Sequence, residues 1–181
     1  MEQRLIKSAK DRIFLRPPTK TDAAEFIALS RASKGFHRGW VSPPATPEQF
    51  ADFLARSRQE TSCSFLICLA ATGAIIGAIN LSQIFRGGFQ SAYLGYYLGA
   101  QHAGRGYMTE ALRLMLKHAF ENLKLHRLEA NIQPDNLASI ALVKRAGFRK
   151  EGYARRYLKI GGRWRDHERW AIIAEDWKSK R

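Results

Sequence analysis

The sequence predicts an α+β domain built on one mixed, mostly antiparallel sheet of about six to seven strands, flanked by about four helices. Two apolar runs, 64–70 and 75–82, flank Thr72-Gly73, a pair typical of a hairpin turn. Two further runs, 153–160 and 164–174, flank Gly161-Gly162 in the same way. Because helices do not alternate regularly with strands along the chain, a doubly wound parallel sheet does not fit.

In the first third of the chain, local signals place each element. Residues 13–16 predict a strand, which Pro17-Pro18 ends. A helix is expected from an Asp22 cap to about Ser30. Residues 33–40 contain two glycines and show no clear period, so they are predicted as a loop. Thr46, followed by Pro47, is a strong start for a second helix.

The second half begins with a strand that ends at Leu98 and a helix over about 106–122, whose apolar residues recur at helical spacing. A strand over 127–132 follows. Asn136 is expected to cap a short helix, and Gly147 to end it in the C′ position.

A glycine-containing turn between that strand and the 106–122 helix is suited to binding a phosphate. Gly104 and Gly106 let the backbone approach an anion, the helix N-terminus offers free N–H groups, and Arg105 adds a cation. No G-K-[ST] sequence is present, which excludes a Walker A loop. A dinucleotide fingerprint needs glycine where Thr109 stands.

This turn and several later motifs, taken in order, resemble the GNAT N-acetyltransferases. The likeness extends from about Ile13 to Trp177, and it is closest to the ribosomal-protein-alanine N-acetyltransferase branch. It implies one domain over 1–181 with a core of about 13–177. The motifs are Gly95-Tyr96, Gln101 with Gly104-Arg105-Gly106-Tyr107-Met108-Thr109-Glu110-Ala111, His126-Arg127-Leu128-Glu129-Ala130, Asn136-Leu137-Ala138-Ser139 and Gly147-Phe148-Arg149-Lys150-Glu151-Gly152.

The resemblance implies that acetyl-CoA is the cosubstrate and that its pyrophosphate lies at the turn. In this family the strand before the turn and the 127–132 strand splay apart, and the gap receives the pantetheine arm. A backbone N–H near Tyr96 or Tyr97 is expected to bind the thioester oxygen. The residues expected at the cofactor are Tyr96, Tyr97, Gln101, Gly104, Arg105, Gly106, Tyr107, Met108, Asn136 and Ser139.

Two residues are candidates for proton transfer. Glu129 matches a position where some family members have a catalytic glutamate, which would deprotonate the amine through water; the alternative is an ion pair with Arg or Lys. The usual acid is a tyrosine, but Val143 stands at its position. Ser139, one helical turn earlier, is the expected thiolate donor; the alternative is an ordinary serine in a first helical turn. Asn136 is both a helix cap and a candidate pantetheine ligand.

Other aromatic and titratable residues receive weaker expectations. Trp40 is a candidate for the acceptor site, with core packing as the alternative. Tyr153, Trp164 and Trp170 are expected mostly in the core. No chemical role is assigned to the histidines, including His167.

Composition indicates anionic partners. The formal net charge is +14. Residues 144–181 hold 13 Lys and Arg against 5 Asp and Glu. Such a field attracts CoA phosphates, RNA and ribosomes and repels polyamines, although a basic surface kept for solubility is the alternative.

No Cys/His cluster has metal spacing, so no metal is expected. Cys63 and Cys68 are expected as reduced thiols on opposite strand faces. No membrane span or secretion signal is found, which predicts a cytoplasmic protein.

Three functions are compatible with these features. The first is acetylation of a protein N-terminus, such as that of a ribosomal protein. The second is acetylation of a small amine: an amino acid, polyamine or antibiotic. The basic segment 31–45, which has no acid, argues against a cationic acceptor. The third is a catalytically weak module that binds CoA or RNA. The sequence defines neither the acceptor nor the oligomeric state.

Overall fold

The computed structural model describes residues 5–7 and 12–179. In that part of the chain, seven strands form one sheet: β1 Ile13–Arg16, β2 Ser62–Leu69, β3 Ile75–Phe85, β4 Ser91–Leu98, β5 Arg127–Ile132, β6 Arg149–Ile160 and β7 Arg163–Ile173. Six α-helices accompany them: α1 Ala23–Ala32, α2 Lys34–His37, α3 Pro47–Ser57, α4 Tyr107–Lys117, α5 Leu137–Ala146 and α6 Ala174–Lys178.

The sheet has the order β1-β2-β3-β4-β5-β7-β6, and only β4 and β5 run parallel among neighbours. This confirms the predicted mixed, mostly antiparallel α+β sheet. The four longer helices, α1, α3, α4 and α5, match the predicted number, and α2 and α6 are short additions of four and five residues. A π-helical turn, His118–Asn122, extends α4 to the predicted end of that helix.

Strands β4 and β5 pair over only three residues. Ser91, Ala92 and Tyr93 lie opposite Arg127, Leu128 and Glu129, and the pairing then stops. On its other side, β4 continues to pair with β3 as far as Leu98. The sheet is therefore split between β4 and β5 beyond Tyr93, as the resemblance predicted.

Apolar side chains pack on both faces of the sheet. The larger core includes Leu112, Met115 and Phe120 of the α4 segment, and the smaller one holds Phe26 of α1 with Phe50 and Phe53 of α3. The Phe26 ring lies 5.3 Å and 5.5 Å from those two rings. Truncating a buried Phe of this kind to Ala costs about 3–5 kcal/mol, so these contacts fix α1 and α3 on the sheet.

The two cysteines lie in different cores. Cys63 belongs to the larger core and Cys68 to the smaller one, and both are free thiols. Burial raises the pKa of Cys63 to about 12 and that of Cys68 to about 11. The prediction of unpaired thiols on opposite faces of β2 is confirmed.

One local prediction holds in part and another is wrong. Asp22 is the N-cap residue of α1, as predicted, but its side chain makes no capping hydrogen bond; its carboxylate instead accepts hydrogen bonds from the Arg16 guanidinium at 2.6 and 2.8 Å. The predicted loop 33–40 contains α2. His37 at the end of α2 is buried, and its Nε2 lies 2.7 Å from the carbonyl oxygen of Leu98, which anchors this segment to β4.

The aromatic residues expected in the core differ in burial. Trp170 is buried, whereas Tyr153 and Trp164 are 52% and 59% exposed, so that expectation is wrong for both. Both residues lie on the β6–β7 hairpin, at the edge of the sheet. The prediction that the chain has no secretion signal rests on residues 1–12, most of which lie outside the described residues. The domain limits, 1–181 with a core of about 13–177, stay a prediction.

Candidate active site

The predicted phosphate-binding turn has the backbone shape that it requires. Gly106 is the N-cap of α4 with φ of 82°, and Gly104 has φ of 73°. Both angles are left-handed, a conformation that glycine adopts without strain. A Cβ on Gly104 would meet no atom within 4 Å, so this backbone is open to a ligand. The first N–H groups of α4 therefore face outward from a turn that can approach an anion.

Arg12 supplies a second cation at this turn. Its Nη2 donates to the carbonyl oxygen of Arg105 at 3.0 Å, and its Nε donates to Glu110 at 2.6 Å. The guanidinium also lies 4.8 Å from the centre of the Tyr107 ring. Arg12 thus ties the start of β1 to the first turn of α4. Local sequence patterns could not identify it, since 93 positions separate it from Arg105.

A cavity of about 750 Å³ runs from this turn to α5 and the end of β4. This volume suits a drug-sized or cofactor-sized ligand. Of the residues predicted at the cofactor, seven line the cavity: Tyr96, Tyr97, Gly104, Gly106, Met108, Asn136 and Ser139. Gln101, Arg105 and Tyr107 belong to the same turn but not to the lining. The Gln101 side chain instead lies 3.1 Å from the His102 ring.

A second cavity of about 480 Å³ opens on the other side of the gap between β4 and β5. Its lining comes mainly from β4, β5, β6 and β7, including Tyr93, Asn131, Tyr157 and His167. The Asn131 Oδ1 atom is buried and has no hydrogen-bond partner among the described residues, so it is available to a ligand. We call the 750 Å³ space the cofactor-side cavity and the 480 Å³ space the acceptor-side cavity.

The two cavities meet at a small set of shared residues: Trp40, Val41, Tyr96, Asn136 and Ser139. Trp40 is 37% exposed, which favours its predicted place at the acceptor over core packing. Gln133 holds the Trp40 segment in place, since its Nε2 donates to the carbonyl oxygen of Gly39 at 2.6 Å.

Tyr96 and Ser139 form the polar contact at this junction. The Tyr96 hydroxyl lies 2.5 Å from Ser139 Oγ. The N–H of Ser139 donates to Asn136 Oδ1 at 3.2 Å, which confirms Asn136 as the cap of α5. Burial raises the pKa of Tyr96 to about 12, against the smaller lowering effect of its hydrogen bond with Ser139. The phenol therefore keeps its proton at neutral pH and is able to donate it to the serine oxygen.

Val143, which occupies the position of the usual tyrosine, is fully buried in the larger core. It lines neither cavity. The side chain one helical turn after Ser139 therefore packs against the sheet and faces no ligand space. In this chain the phenol at the junction comes from β4.

Glu129 lies at the closed end of the gap, opposite Tyr93 in the register. Its buried carboxylate accepts hydrogen bonds from Arg127 at 3.1 Å and from Arg169 at 3.2 Å. Burial acts to raise its pKa, but the two guanidinium groups outweigh this and the pKa lies below its usual value. Glu129 lines neither cavity. The alternative predicted from the sequence, an ion pair of Glu129 with Arg or Lys, is present in the structure.

His167, Tyr157 and Tyr93 line the acceptor-side cavity and were missed by the sequence reasoning. Alternation along β7 places His167 on the same face of the sheet as Arg169, which pairs with Glu129. The sequence alone could have predicted that positions 167 and 169 share a face. His167 is 1% exposed, and the ring of Tyr157 on β6 lies 6.1 Å from its own, a contact between strands that has no local signature.

Within residues 5–7 and 12–179, no group of three or more His, Cys, Asp or Glu has the geometry of a metal site. None of the helices in that part of the chain is long and apolar enough to cross a membrane.

Comparisons with known proteins agree with this geometry. Residues 12–149 match the family model described as an acetyltransferase (GNAT) domain. A probable N-acetyltransferase of Bacillus subtilis, YjcK, is 37% identical over 172 residues, which are 91% of this chain and 95% of that protein. The [ribosomal protein uS5]-alanine N-acetyltransferase of Escherichia coli is 45% identical over 103 residues, 57% of this chain and about half, 53%, of that protein.

Solved structures give the same result. Mycobacterium smegmatis RimJ in complex with CoA-disulfide superposes with a TM-score of 0.84 and 29% identity, over 96% of this chain and 87% of that one. The ribosomal-protein-S5-alanine acetyltransferase of Vibrio fischeri has a TM-score of 0.81 and 26% identity, over 92% and 96% of the two chains. The chain therefore belongs to the GNAT family of acetyl-CoA-dependent N-acetyltransferases, with relatives in the ribosomal-protein-alanine branch.

Proposed function

We propose that this protein transfers the acetyl group of acetyl-CoA to the N-terminal α-amino group of a protein, such as a ribosomal protein. One observation carries the proposal. A split sheet has a phosphate-binding turn and a cofactor-sized cavity on one side and a second cavity on the other, and the two cavities meet at Tyr96 and Ser139. This layout suits a long anionic donor and an amine that approach the same point from opposite sides.

The cofactor-side residues have distinct roles in this proposal. The turn at Gly104 and Gly106, with Arg105 and Arg12 beside it, binds the CoA pyrophosphate through N–H groups and positive charge. The pantetheine arm lies in the gap along β4 and uses the backbone groups that β5 leaves unpaired. A backbone N–H near Tyr96 or Tyr97 donates to the thioester oxygen as it gains charge.

The reaction needs two proton movements. The neutral amine attacks the thioester carbon, its extra proton leaves, the C–S bond breaks, and the thiolate receives a proton. Ser139 is the proposed donor to the thiolate, and the Tyr96 hydroxyl at 2.5 Å is placed to restore the proton on Ser139. For the base, Glu129 stays a prediction. Its two guanidinium partners, Arg127 and Arg169, stabilise the ionised carboxylate and occupy its oxygens.

The relatives support a protein acceptor more than a small polycationic one. The Escherichia coli and Vibrio fischeri relatives are named for the alanine of a ribosomal protein. Residues 31–45 of this chain, at the edge of the cofactor-side cavity, carry Arg31, Lys34 and Arg38 and no acid. A polyamine would be repelled there, whereas a peptide brings one amine and a neutral backbone. An acceptor of this class implies that the protein works in the cytoplasm.

A basic hairpin is the proposed contact with the ribosome. Residues 154–165 include Arg155, Arg156, Lys159, Arg163 and Arg165 and no Asp or Glu. Lys159 lies opposite Trp164 in the β6–β7 register, which puts a cation beside a largely exposed indole. Cations interleaved with an exposed aromatic ring suit RNA phosphates and bases. Leu158 and Ile160 of the same hairpin line the acceptor-side cavity, so RNA bound here would hold a ribosomal acceptor close to the site.

Turnover of acetyl-CoA with a panel of acceptors tests the function. We expect transfer to peptides that match ribosomal-protein N-termini, and little to spermidine, aminoglycosides or free amino acids. Preferred turnover of a small amine would support the second function considered above. Tight CoA binding without turnover of any acceptor would support a catalytically weak binding module.

A further inference from the structure

His167 occupies an unusual position for a histidine without an assigned role. It lies on β7 opposite Ala154 of β6, it is 1% exposed, and its ring is part of the wall of the acceptor-side cavity. The Tyr157 ring, which also lines that cavity, packs edge-on against it at 6.1 Å. The imidazole is thus fixed by packing and borders the space proposed for the acceptor.

Its tautomer follows from one hydrogen bond. Nδ1 lies 3.0 Å from the carbonyl oxygen of Arg165. A carbonyl oxygen only accepts, so Nδ1 carries the hydrogen and donates it, and Nε2 keeps a free lone pair. Among the described residues, no group forms a hydrogen bond with Nε2. A water or an amine that enters the cavity is therefore the donor available to it.

The surrounding groups leave the ring uncharged at neutral pH. Burial is the main effect and lowers the pKa of His167, against smaller raising effects of the Arg165 carbonyl and the Asp166 charge. From β6, Tyr157 is neutral, since burial raises its pKa to about 12. Asn131 of β5 and Gln133, just after β5, carry no charge. On β7, the Arg169 guanidinium is engaged by Glu129.

We propose that His167 is a catalytic base of the acetyl transfer. Its Nε2 accepts, directly or through one water, the proton that the acceptor ammonium must lose before its nitrogen can attack the thioester carbon. The N–H electron pair stays on nitrogen and forms the new bond to carbon. The amide replaces the C–S bond, and the second proton that the nitrogen releases after attack balances the one that Ser139 supplies to the thiolate. The imidazolium then returns its proton to solvent. This inference rests on the proposed acetyl transfer. It assigns the deprotonation of the acceptor amine to His167 instead of Glu129, whose carboxylate is held in ion pairs with Arg127 and Arg169.

Two amide substitutions separate catalysis from structure. In His167→Asn, the side-chain amide occupies the place of Nδ1 and can still donate to the Arg165 carbonyl, but nothing replaces Nε2. In His167→Gln, an amide reaches the place of Nε2 without its basicity. His118→Asn is the matched control. His118 is a second histidine whose pKa burial lowers, but its ring packs on Phe65 at 5.4 Å and lines neither cavity.

The experiment measures kcat/KM against pH with the acceptor that wild type uses best, and acetyl-CoA affinity by calorimetry. We expect both His167 variants to lose about 10²–10³-fold at pH 7. The loss should shrink as the pH rises through the α-amine pKa of about 8, where the free amine needs no base. CoA affinity and the His118→Asn profile should match wild type.

A wild-type rate and acidic limb in a folded His167→Asn protein would overturn the inference while leaving the acetyl transfer intact. If His167→Asn does not fold, the same result in His167→Gln would overturn it. An equal loss at every pH would also count against a base, since it indicates a packing defect. Absence of turnover in wild type with all acceptors would overturn the proposed function and this inference together.

Discussion

The hydroxyl of Tyr96 on β4 lies 2.5 Å from the hydroxyl of Ser139 on α5, and this hydrogen bond spans the junction of the two cavities. The family's usual acid is a tyrosine, and Val143 stands at its position. The Tyr96–Ser139 pair is the proposed replacement for that acid. A serine alone is a weak acid, but a serine backed by a protonated phenol can pass a proton on and be resupplied.

Ser139→Ala is expected to lower kcat by about 10²-fold with little change in CoA affinity, the low end for acid catalysis, because a CoA thiol is already a fair leaving group. Tyr96→Phe should lower kcat by a similar or smaller factor. If the two act as one relay, the double variant should be no slower than Ser139→Ala, as a double-mutant cycle of kcat would show. Additive losses would mean that the two hydroxyls act separately.

Restoring a tyrosine with Val143→Tyr should not rescue Ser139→Ala. Val143 is fully buried, so a ring there would overpack the larger core and cost about 1–3 kcal/mol or more. Urea unfolding would measure this cost, and kcat the absence of rescue. Recovery of activity in the double variant would show that α5 can rotate its 143 position toward the gap.

Gly106→Asp should lower acetyl-CoA affinity by at least about tenfold, because it adds a negative charge and a strained residue where the pyrophosphate is proposed to lie. A Cβ there would also come within 3.2 Å of Arg12. Calorimetry measures the affinity. Gly87→Asp is the matched control, since Gly87 also has a positive φ, 64°, and open space, but sits in the β3–β4 turn. An equal loss of acetyl-CoA affinity in both variants would show that the turn at Gly104 and Gly106 is not part of the CoA site.

Glu129→Gln tests the predicted glutamate base against an ion-pair role. If Glu129 is the base, the acidic limb of the pH–rate profile should move upward, because the amine is left protonated. Its contacts lead us to expect an unmoved limb and a stability loss of about 2 kcal/mol at pH 7, because Arg169 loses its carboxylate partner and Arg127 keeps only Glu151. The lowered pKa of Glu129 implies that its contribution is present above its usual range and lost as the pH falls.

Urea unfolding at pH 7 and at acidic pH measures that stability contribution. The difference between wild type and Glu129→Gln should narrow at acidic pH. Glu151→Gln serves as the control, since Glu151 shares Arg127 but is 44% exposed and should cost less. An upward shift of the acidic limb in Glu129→Gln would support Glu129 as the catalytic base and count against His167 in that role.

Charge reversal on the basic hairpin tests the ribosome contact. Arg155→Glu with Lys159→Glu should weaken binding to ribosomal RNA and reduce the slope of log affinity against log salt by about 0.7 for each lost phosphate contact. Turnover of a short peptide should stay unchanged, since neither residue lines a cavity. Lys20→Glu with Lys124→Glu, outside the hairpin, is the control. A polyanion affinity equal to wild type, or an equal loss in the control, would contradict the assignment.

Local sequence patterns were sufficient to predict the elements whose ends are determined by residues close to one another in the chain. Strands β1 and β5 have the predicted ends, Asn136 caps α5, and Gly147 ends it in the left-handed region. Each depends on alternation, a cap or a turn within a few residues. The phosphate-binding turn belongs to this group, because strand, glycines and helix are consecutive.

Contacts between distant segments could not be predicted in this way. Arg12 reaches the turn from 93 positions earlier, and Tyr96 meets Ser139 across 43. Residues 33–40 lack a helical pattern, yet α2 forms because His37 is anchored on β4. Trp164 has a core-like side chain but is 59% exposed on the β6–β7 hairpin. These outcomes depend on which elements become neighbours, which no short window encodes.

The short β4–β5 pairing gives this sheet two edge strands in its interior. An open edge normally risks capture by a strand of another protein, and proteins protect edges with charges, bulges or covering elements. Here Trp40, α5 and the β6–β7 hairpin line the two cavities that meet at the gap. The unpaired backbone groups of β4 and β5 therefore face enclosed spaces formed by other elements of the same chain, and they do not form an open sheet edge.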